Sequence, residues 1–107
     1  MVVEAAVATV ALVAVALVLA WLLGLLGAQL AVGEAARAGA RVAARGEPSS
    51  AVAAEARRLV PDAVVDLRPE GDHLVVDVRR PVALPGLLAR WGPVVLQAGA
   101  VSLREPS

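Results

Sequence analysis

A run of 24 residues without a charged side chain, residues 5–28, constrains this chain more than any other feature. About 20 apolar residues suffice to cross the hydrocarbon core of a bilayer. The alternative is a buried helix of a soluble domain, but a chain of 107 residues is too short to surround such a segment with protein on every side. The run therefore predicts a transmembrane helix over about residues 5–28.

The helical pattern continues well beyond this apolar run. No proline precedes Pro48, alanine-rich sequence extends to Arg45, and Gly46 stands where a C-terminal glycine cap belongs. These features predict an N-terminal region over residues 1–46 whose helix runs from Val2 to Arg45 and is about 66 Å long at 1.5 Å per residue. Because that is about twice the thickness of the hydrocarbon core, we expect the second half to project from the membrane or to be buried in an assembly.

Charged residues recur at helical spacing in this second half. Glu34 is followed by Arg37, Arg41 and Arg45, and side chains three or four positions apart share one face of a helix. This charged stripe is either exposed to solvent or pairs with charges of a neighbouring subunit. The other faces carry mostly alanine and glycine, which bury little area, so this half of the helix needs support from another element.

Small residues at four-residue spacing lie along the predicted span, at Ala16, Ala20, Gly24 and Ala28. Small residues allow membrane helices to approach each other closely, which predicts a helix-packing ridge. In a chain so rich in alanine, the same row could also arise by chance.

The remaining residues, 47–107, predict a small C-terminal domain, and the chain as a whole is predicted to be α+β. A short helix is expected over residues 51–60, capped by one of the two preceding serines and ended near Pro61. Three strands are then expected to form an antiparallel sheet that packs on a helix, at residues 64–68, 74–78 and 94–103.

The first two strands flank a strong turn signal, Pro69-Glu70-Gly71-Asp72. A two-residue turn at Glu70-Gly71 places Leu67 opposite Leu74 and Val65 opposite Val76. One face of the hairpin is then apolar and the other mostly charged, whereas a slip of one residue would mix the faces. After the second strand, Pro81 is expected to interrupt regular structure, and residues 87–91 are expected to form a helical turn.

Composition argues against most kinds of chemistry. The ten basic residues, all arginine, balance ten acidic ones, and only two residues are aromatic, which argues against a nucleic-acid partner. Without cysteine there is no thiolate ligand or thiol nucleophile. The single histidine, His73, shares a strand face with Asp66 and Asp77, but a solvated polar face is the simpler interpretation. We therefore expect no enzymatic activity, cofactor, metal or small-molecule substrate.

Three residues have side chains typical of a membrane boundary. Trp21 and Trp91 are candidates for interfacial anchors, and Trp21 could instead pack within the span. Glu4 directly precedes the apolar run, and a carboxylate at mid-membrane costs about 2.5–3.5 kcal/mol, so its place there suggests a functional role. The alternative is an interfacial Glu4 that is favourably placed at a helix N-terminus.

Two segments carry a resemblance to a known family. The first is Val2-Val3-Glu4-Ala5-Ala6-Val7-Ala8, and the second runs from Gly33 to Pro48 and contains Ala-Ala-Arg-x-Gly-Ala-Arg at residues 35–41. Together with the apolar helix between them and the β-rich segment after them, they resemble the TadE-like minor pilins, or pseudopilins, of Tad (Flp) type IV pilus systems in high-GC actinobacteria.

This resemblance implies a structural subunit that assembles into or primes a thin filament through its N-terminal helix. In such families a prepilin peptidase cleaves after a glycine, and a glutamate near the new N-terminus pairs with the terminal amine of a neighbouring subunit; Glu4 is the matching position. The implied partners are the membrane, other pilin subunits and the Tad secretion platform. The implied location is the cell membrane with the C-terminal domain outside, or a pilus. The alternative is a single-span accessory subunit of a secretion or envelope complex that stays in the bilayer.

The distribution of arginine bears on orientation. Arginine and lysine near a span stay preferentially in the cytoplasm, and here the nearest ones, beginning with Arg37, follow the span. A pilin requires the opposite orientation. We therefore expect a short basic leader that ends in glycine and holds the N-terminus inside until cleavage. Either translation begins upstream of Met1, or this leader is missing from the sequence.

Overall fold

The computed structural model describes residues 2–103, and its elements follow the predicted order. The three strands form one antiparallel sheet in the order β1-β2-β3, with both helices on one of its faces. This confirms the α+β fold. The elements are α1 (Val2–Ala44), α2 (Ser49–Leu59), β1 (Val64–Glu70), β2 (His73–Val82), a 3₁₀ helix (Gly86–Trp91) and β3 (Val94–Leu103).

Helix α1 is a single uninterrupted helix of 43 residues, as its alanine content and lack of proline predict. It ends where Gly46 adopts a positive φ of 76° and its amide donates a hydrogen bond to the carbonyl of Ala43 at 3.0 Å. This is the glycine termination expected of a helix C-terminus. The helix gives the molecule an elongated shape of 76 × 23 × 22 Å.

The hairpin of β1 and β2 has the predicted faces but not the predicted register. Val65 pairs with Val78 and Leu67 with Val76, so the predicted register is wrong by two residues. The turn residues are Gly71 and Asp72, and only Gly71 has a positive φ, 60°. A turn that places glycine at its first central position, as in type II′, begins one residue later than predicted. A shift of two residues leaves each side chain on the same face, so the apolar face is unchanged.

Two local predictions about prolines and caps are wrong. Helix α2 begins at Ser49 rather than after the serines, and Pro48 occupies its N-cap position without a side-chain cap, its extended backbone presenting a carbonyl to the amides of Ala51 and Val52. Pro81 does not interrupt β2, which continues to Val82. The pairing with β1 ends at Arg79, so at Pro81 strand β2 has a neighbour on one side only, where a strand tolerates proline.

The core of the molecule lies between the sheet and the second half of α1. The buried side chains of this half pack against α2, β2 and β3. The support that this half of the helix requires therefore comes from the chain's own sheet, and it neither projects alone nor depends on an assembly for burial. The largest fully buried side chains are all valines, at Val32, Val52, Val60, Val76 and Val78.

A close approach of α1 to its neighbours depends on Gly39. A β-carbon added there would lie 3.2 Å from Val76 Cγ1 and 3.3 Å from Val52 Cγ1. These distances are tighter than ordinary van der Waals contact, so glycine lets the helix, α2 and β2 meet at one point. We call the unit formed by residues 28–103 the head, since α1 from about Ala28 onward is packed into it.

Candidate membrane and assembly surface

The first half of α1 presents apolar side chains to its surroundings on all sides. Within residues 2–24 every residue is exposed except Trp21, which is half-buried. Residues 5–28 extend for about 36 Å along the helix, more than the ~30 Å hydrocarbon core. Helix α1 is therefore long and apolar enough to cross a membrane once. It contains an apolar stretch of 18 residues, none of which is buried by the head.

Two carboxylates bracket this apolar surface. Glu4 lies in the first turn of α1, and its side chain is exposed, as is that of Glu34 in the head. Thirty residues of helix separate them by about 45 Å, which matches the thickness of a bilayer with its headgroups.

The predicted packing ridge divides between two environments. Ala16, Ala20 and Gly24 are exposed, and a β-carbon added at Gly24 would have no neighbouring atom within 4 Å. Ala28 instead packs against the core of the head. The part of the ridge that faces outward therefore ends at Gly24.

The charged stripe lies on the face of α1 that turns away from the core. Arg37 pairs with Glu34, and Arg45 pairs with Glu47 at 2.8 Å. Arg41 is exposed, and no carboxylate within the described part of the chain lies within 4 Å of it. The hydrogen bond from Arg37, followed by its positive charge, holds the pKa of Glu34 below its usual value. The stripe is thus a solvent-facing surface of the head, with half or more of each Glu34 and Arg37 side chain exposed.

The outer face of the sheet, which points away from both helices, carries ion pairs. Arg68 contacts Asp77 at 2.6 Å, and Arg79 contacts Asp66. His73 lies at the start of β2 on this same face, paired across the hairpin with Glu70. Over residues 2–103, no group of three or more histidine and carboxylate side chains is placed to hold a metal ion. Asp66 and Asp77, the two carboxylates that share this strand face with His73, each pair with an arginine of the neighbouring strand.

Sequence reasoning missed two features of this surface. The first is the stripe of valine and small residues on α1 that faces the head, whose signal was the helical spacing of Val32, Ala35, Ala36 and Gly39. The second is the connection between β2 and β3, of which only Trp91 was predicted to be a membrane-boundary residue. Leu87 and Leu88 of this connection are exposed as well, although it lies outside the predicted span. Its signal was the near absence of charge in residues 83–93.

Comparisons of the chain with protein-family models, with curated proteins and with solved structures gave no match.

Proposed function

We propose that this chain is a minor pilin or pseudopilin, a structural subunit that enters or primes a Tad-type pilus through the first half of α1. The observation that carries the proposal is the division of α1 into an exposed apolar half, headed by Glu4, and a half that is fixed in a folded head. The partners are the membrane, other pilin subunits and the Tad secretion platform, together with a prepilin peptidase if a leader precedes residue 1. The role is structural, without an enzymatic step.

The exposed apolar surface suits a subunit that moves from lipid into a filament. In the bilayer this surface contacts acyl chains, and in a filament the same side chains contact the helices of other subunits. Helices associate in such apolar surroundings through close packing rather than through the hydrophobic effect, and the exposed Ala16, Ala20 and Gly24 permit close approach.

Glu4 supplies specificity to this transfer. A carboxylate that enters an apolar filament interior needs a compensating positive charge, and the N-terminal amine of a neighbouring subunit provides one. The pairing sets the axial position of one subunit relative to the next. The charged stripe, which faces away from the core, is available for further contacts between heads.

One observation favours a second candidate, a single-span accessory subunit of a secretion or envelope complex. The charged stripe places three arginines on the same side of the predicted span as the head. Under the preference of arginine for the cytoplasmic side, the head would then lie inside the cell. The two candidates therefore differ in the side of the membrane on which the head lies.

Topology separates these candidates directly. The chain has no cysteine, so a single Ser50→Cys substitution at an exposed position of α2 gives a unique label site. In intact cells of a Tad-piliated host, a membrane-impermeant maleimide should label this cysteine if the head lies outside. Labelling only after the cells are lysed would contradict the pilin proposal and support the accessory subunit.

The assembly role is tested by Glu4→Ala with Asp72→Ala as the control. Both changes remove an exposed carboxylate, and Asp72 lies in the turn between β1 and β2, outside the charged stripe. We expect Glu4→Ala to leave membrane insertion intact and to reduce the protein in sheared filaments strongly, because the buried amine would lose its partner. Asp72→Ala should be recovered at near wild-type levels. Equal recovery of both variants from filaments would contradict the proposed role of Glu4.

A further inference from the structure

The connection between β2 and β3, residues 83–93, is an apolar segment with a single charged side chain, Arg90. It contains the 3₁₀ helix, and the large side chains of that helix point away from the core. Leu87 is 85% exposed, Trp91 is 75% exposed, and Leu88 is also exposed. A soluble head rarely presents so concentrated an apolar surface to water, and such patches mark contacts with a partner or a membrane.

The direction of β3 places this segment at the end of the head nearest the span. Gln29 Nε2 on α1 donates a hydrogen bond to the carbonyl of Gln97 at 3.0 Å. Further along both elements, Ser102 borders the same surface depression as Ala40 and Ala44. Helix α1 and strand β3 therefore run in the same direction, and the start of β3 lies toward the apolar half of α1.

The level of the segment along α1 follows from these contacts. Val94 precedes Gln97 by three strand residues, or about 10 Å, which corresponds to about seven residues of helix. That distance places Val94 beside α1 at about residue 22. Trp21, the half-buried residue of the otherwise exposed first half, lies at this level, and Leu25 packs against the core one turn later. Residues 83–93 thus lie beside the end of the predicted span.

We propose that residues 83–93 insert into the leaflet from which α1 enters the head. Leu87, Leu88 and Trp91 enter the boundary between acyl chains and headgroups, and the Trp91 indole takes the interfacial position that tryptophan prefers. The guanidinium of Arg90 reaches back to lipid phosphates, as long basic side chains do at this depth. The occupant of this surface is the bilayer itself, because the segment continues the exposed apolar surface of α1 at the same level.

The backbone of the segment suits such an environment. Unpaired amides are costly near lipid, and Pro85 and Pro93 have none. The amide of Leu88 donates to the carbonyl of Pro85, and that of Gly92 donates to the carbonyl of Ala89.

Insertion of residues 83–93 gives the head a second attachment to the membrane beside α1, which fixes the rotation and tilt of the head relative to the bilayer. The inference requires that α1 crosses a membrane and is independent of whether the chain enters a pilus.

Tryptophan fluorescence of the full chain tests this contact. Trp21→Phe leaves Trp91 as the one emitter, Trp91→Phe leaves Trp21, and a third variant carries Val101→Trp together with both phenylalanine changes. Val101 is exposed on β3 near the other end of the head. Each variant is placed in phosphatidylcholine–phosphatidylglycerol nanodiscs at one copy per disc. Quenching is measured with lipids that carry a nitroxide near the headgroup and with aqueous iodide.

We expect Trp91 to be quenched by the labelled lipid and to be several-fold less sensitive to iodide than the tryptophan at position 101. Trp21 reports whether α1 is inserted. Quenching of Trp21 by lipid without quenching of Trp91 would overturn the inference. If neither is quenched, α1 is not in the bilayer and the inference falls with it. Shielding of Trp91 from iodide without lipid quenching would indicate a protein partner or a second copy and would also overturn it.

A pair of charge substitutions sharpens the result. In the Trp21→Phe background, Leu87→Glu should expose Trp91 to iodide several-fold more and reduce its quenching by lipid, because a carboxylate resists insertion. Leu103→Glu alters an exposed leucine at the other end of β3 and should change neither quantity. Equal responses to the two substitutions would contradict insertion of the segment. Hydrogen-exchange protection of β2 confirms that the head is folded in both variants.

Discussion

The two halves of α1 show opposite relations between apolar content and burial. Residues 2–24 are an almost unbroken series of valine, leucine and alanine, and all but Trp21 are exposed. Residues 32–42 are mainly alanine, glycine and charged residues, yet they include Val32, Ala35 and Ala36 at 0–1% exposure. The more apolar half is thus the one that the head leaves uncovered.

This difference reflects what each half has to fit against. Burial in a protein core requires a complementary surface at close range, and small side chains let α1 approach the sheet and α2 closely. Large aliphatic side chains on every side of a helix need an apolar solvent instead, because one small head can cover only one face of it. Four substitutions test this contrast, from the largest expected effect to the smallest.

A charge in the core beneath the second half should have the largest effect. Val76 is fully buried on the inner face of β2, and Val76→Asp would place an uncompensated carboxylate there, at a cost of about 3–5 kcal/mol. Asp77→Val is the matched change on the outer face, where Arg68 would lose Asp77 but remain solvated and within 3.8 Å of Glu70, and we expect an effect within about 1 kcal/mol. Denaturant unfolding of the full chain in detergent measures both. Similar losses would contradict the assignment of the two faces.

A charge in the first half should act on insertion and not on folding. Leu17 lies near the middle of the apolar run and is exposed, so Leu17→Asp should disfavour membrane insertion by about 2.5–3.5 kcal/mol. The unfolding midpoint of the head in detergent should not change. The fraction inserted into microsomes, compared with that of Leu17→Met, measures the first effect. A lower unfolding midpoint would mean that the first half of α1 contributes to the stability of the head, which would contradict the contrast between the two halves.

Overpacking at the closest approach of α1 should have an intermediate effect. Gly39→Leu would push side-chain atoms into Val52 and Val76, at a cost of about 1–3 kcal/mol. Gly33→Leu is the control, because a β-carbon there meets only the guanidinium end of Arg37, at 3.8 Å. The two variants are compared by thermal unfolding followed by circular dichroism. If Gly33→Leu is the more destabilising, the close contact at Gly39 is not what limits packing.

The smallest effect is expected on the outward face of the second half. The hydrogen bond and charge of Arg37 lower the pKa of Glu34 from its usual value near 4.5. The ion pair therefore stabilises the folded head above that usual value and loses its contribution as the pH falls through the lowered pKa. An NMR titration of the Glu34 carboxyl should give a midpoint below 4.5, and Arg37→Gln should raise it. A midpoint that Arg37→Gln leaves unchanged would contradict this pairing.

Much of the fold was predictable because its signals are local. The apolar run, the glycine after α1 and the alternation of β2 act within a few residues, and β3 has the bounds that its sequence predicts. The hairpin register was missed by two residues because the choice between Glu70-Gly71 and Gly71-Asp72 depends on one backbone conformation, the positive φ of Gly71. Of the candidate site, the exposed position of Glu4 follows from its place ahead of the apolar run, and its role in assembly stays a prediction.

The residues alone determine that α1 is one long helix, that its first half is apolar on every side and that a hairpin with one apolar face follows it. These properties depend on periodicity, helix propensity and turn chemistry, which are properties of neighbouring residues. Only the tertiary structure decided that the alanine-rich half of α1 packs into the core of the head, and that residues 83–93 lie beside the end of the predicted span. Both depend on contacts between residues far apart in the chain, such as Gln29 and Gln97, whose pairing depends on how α1 packs across the sheet.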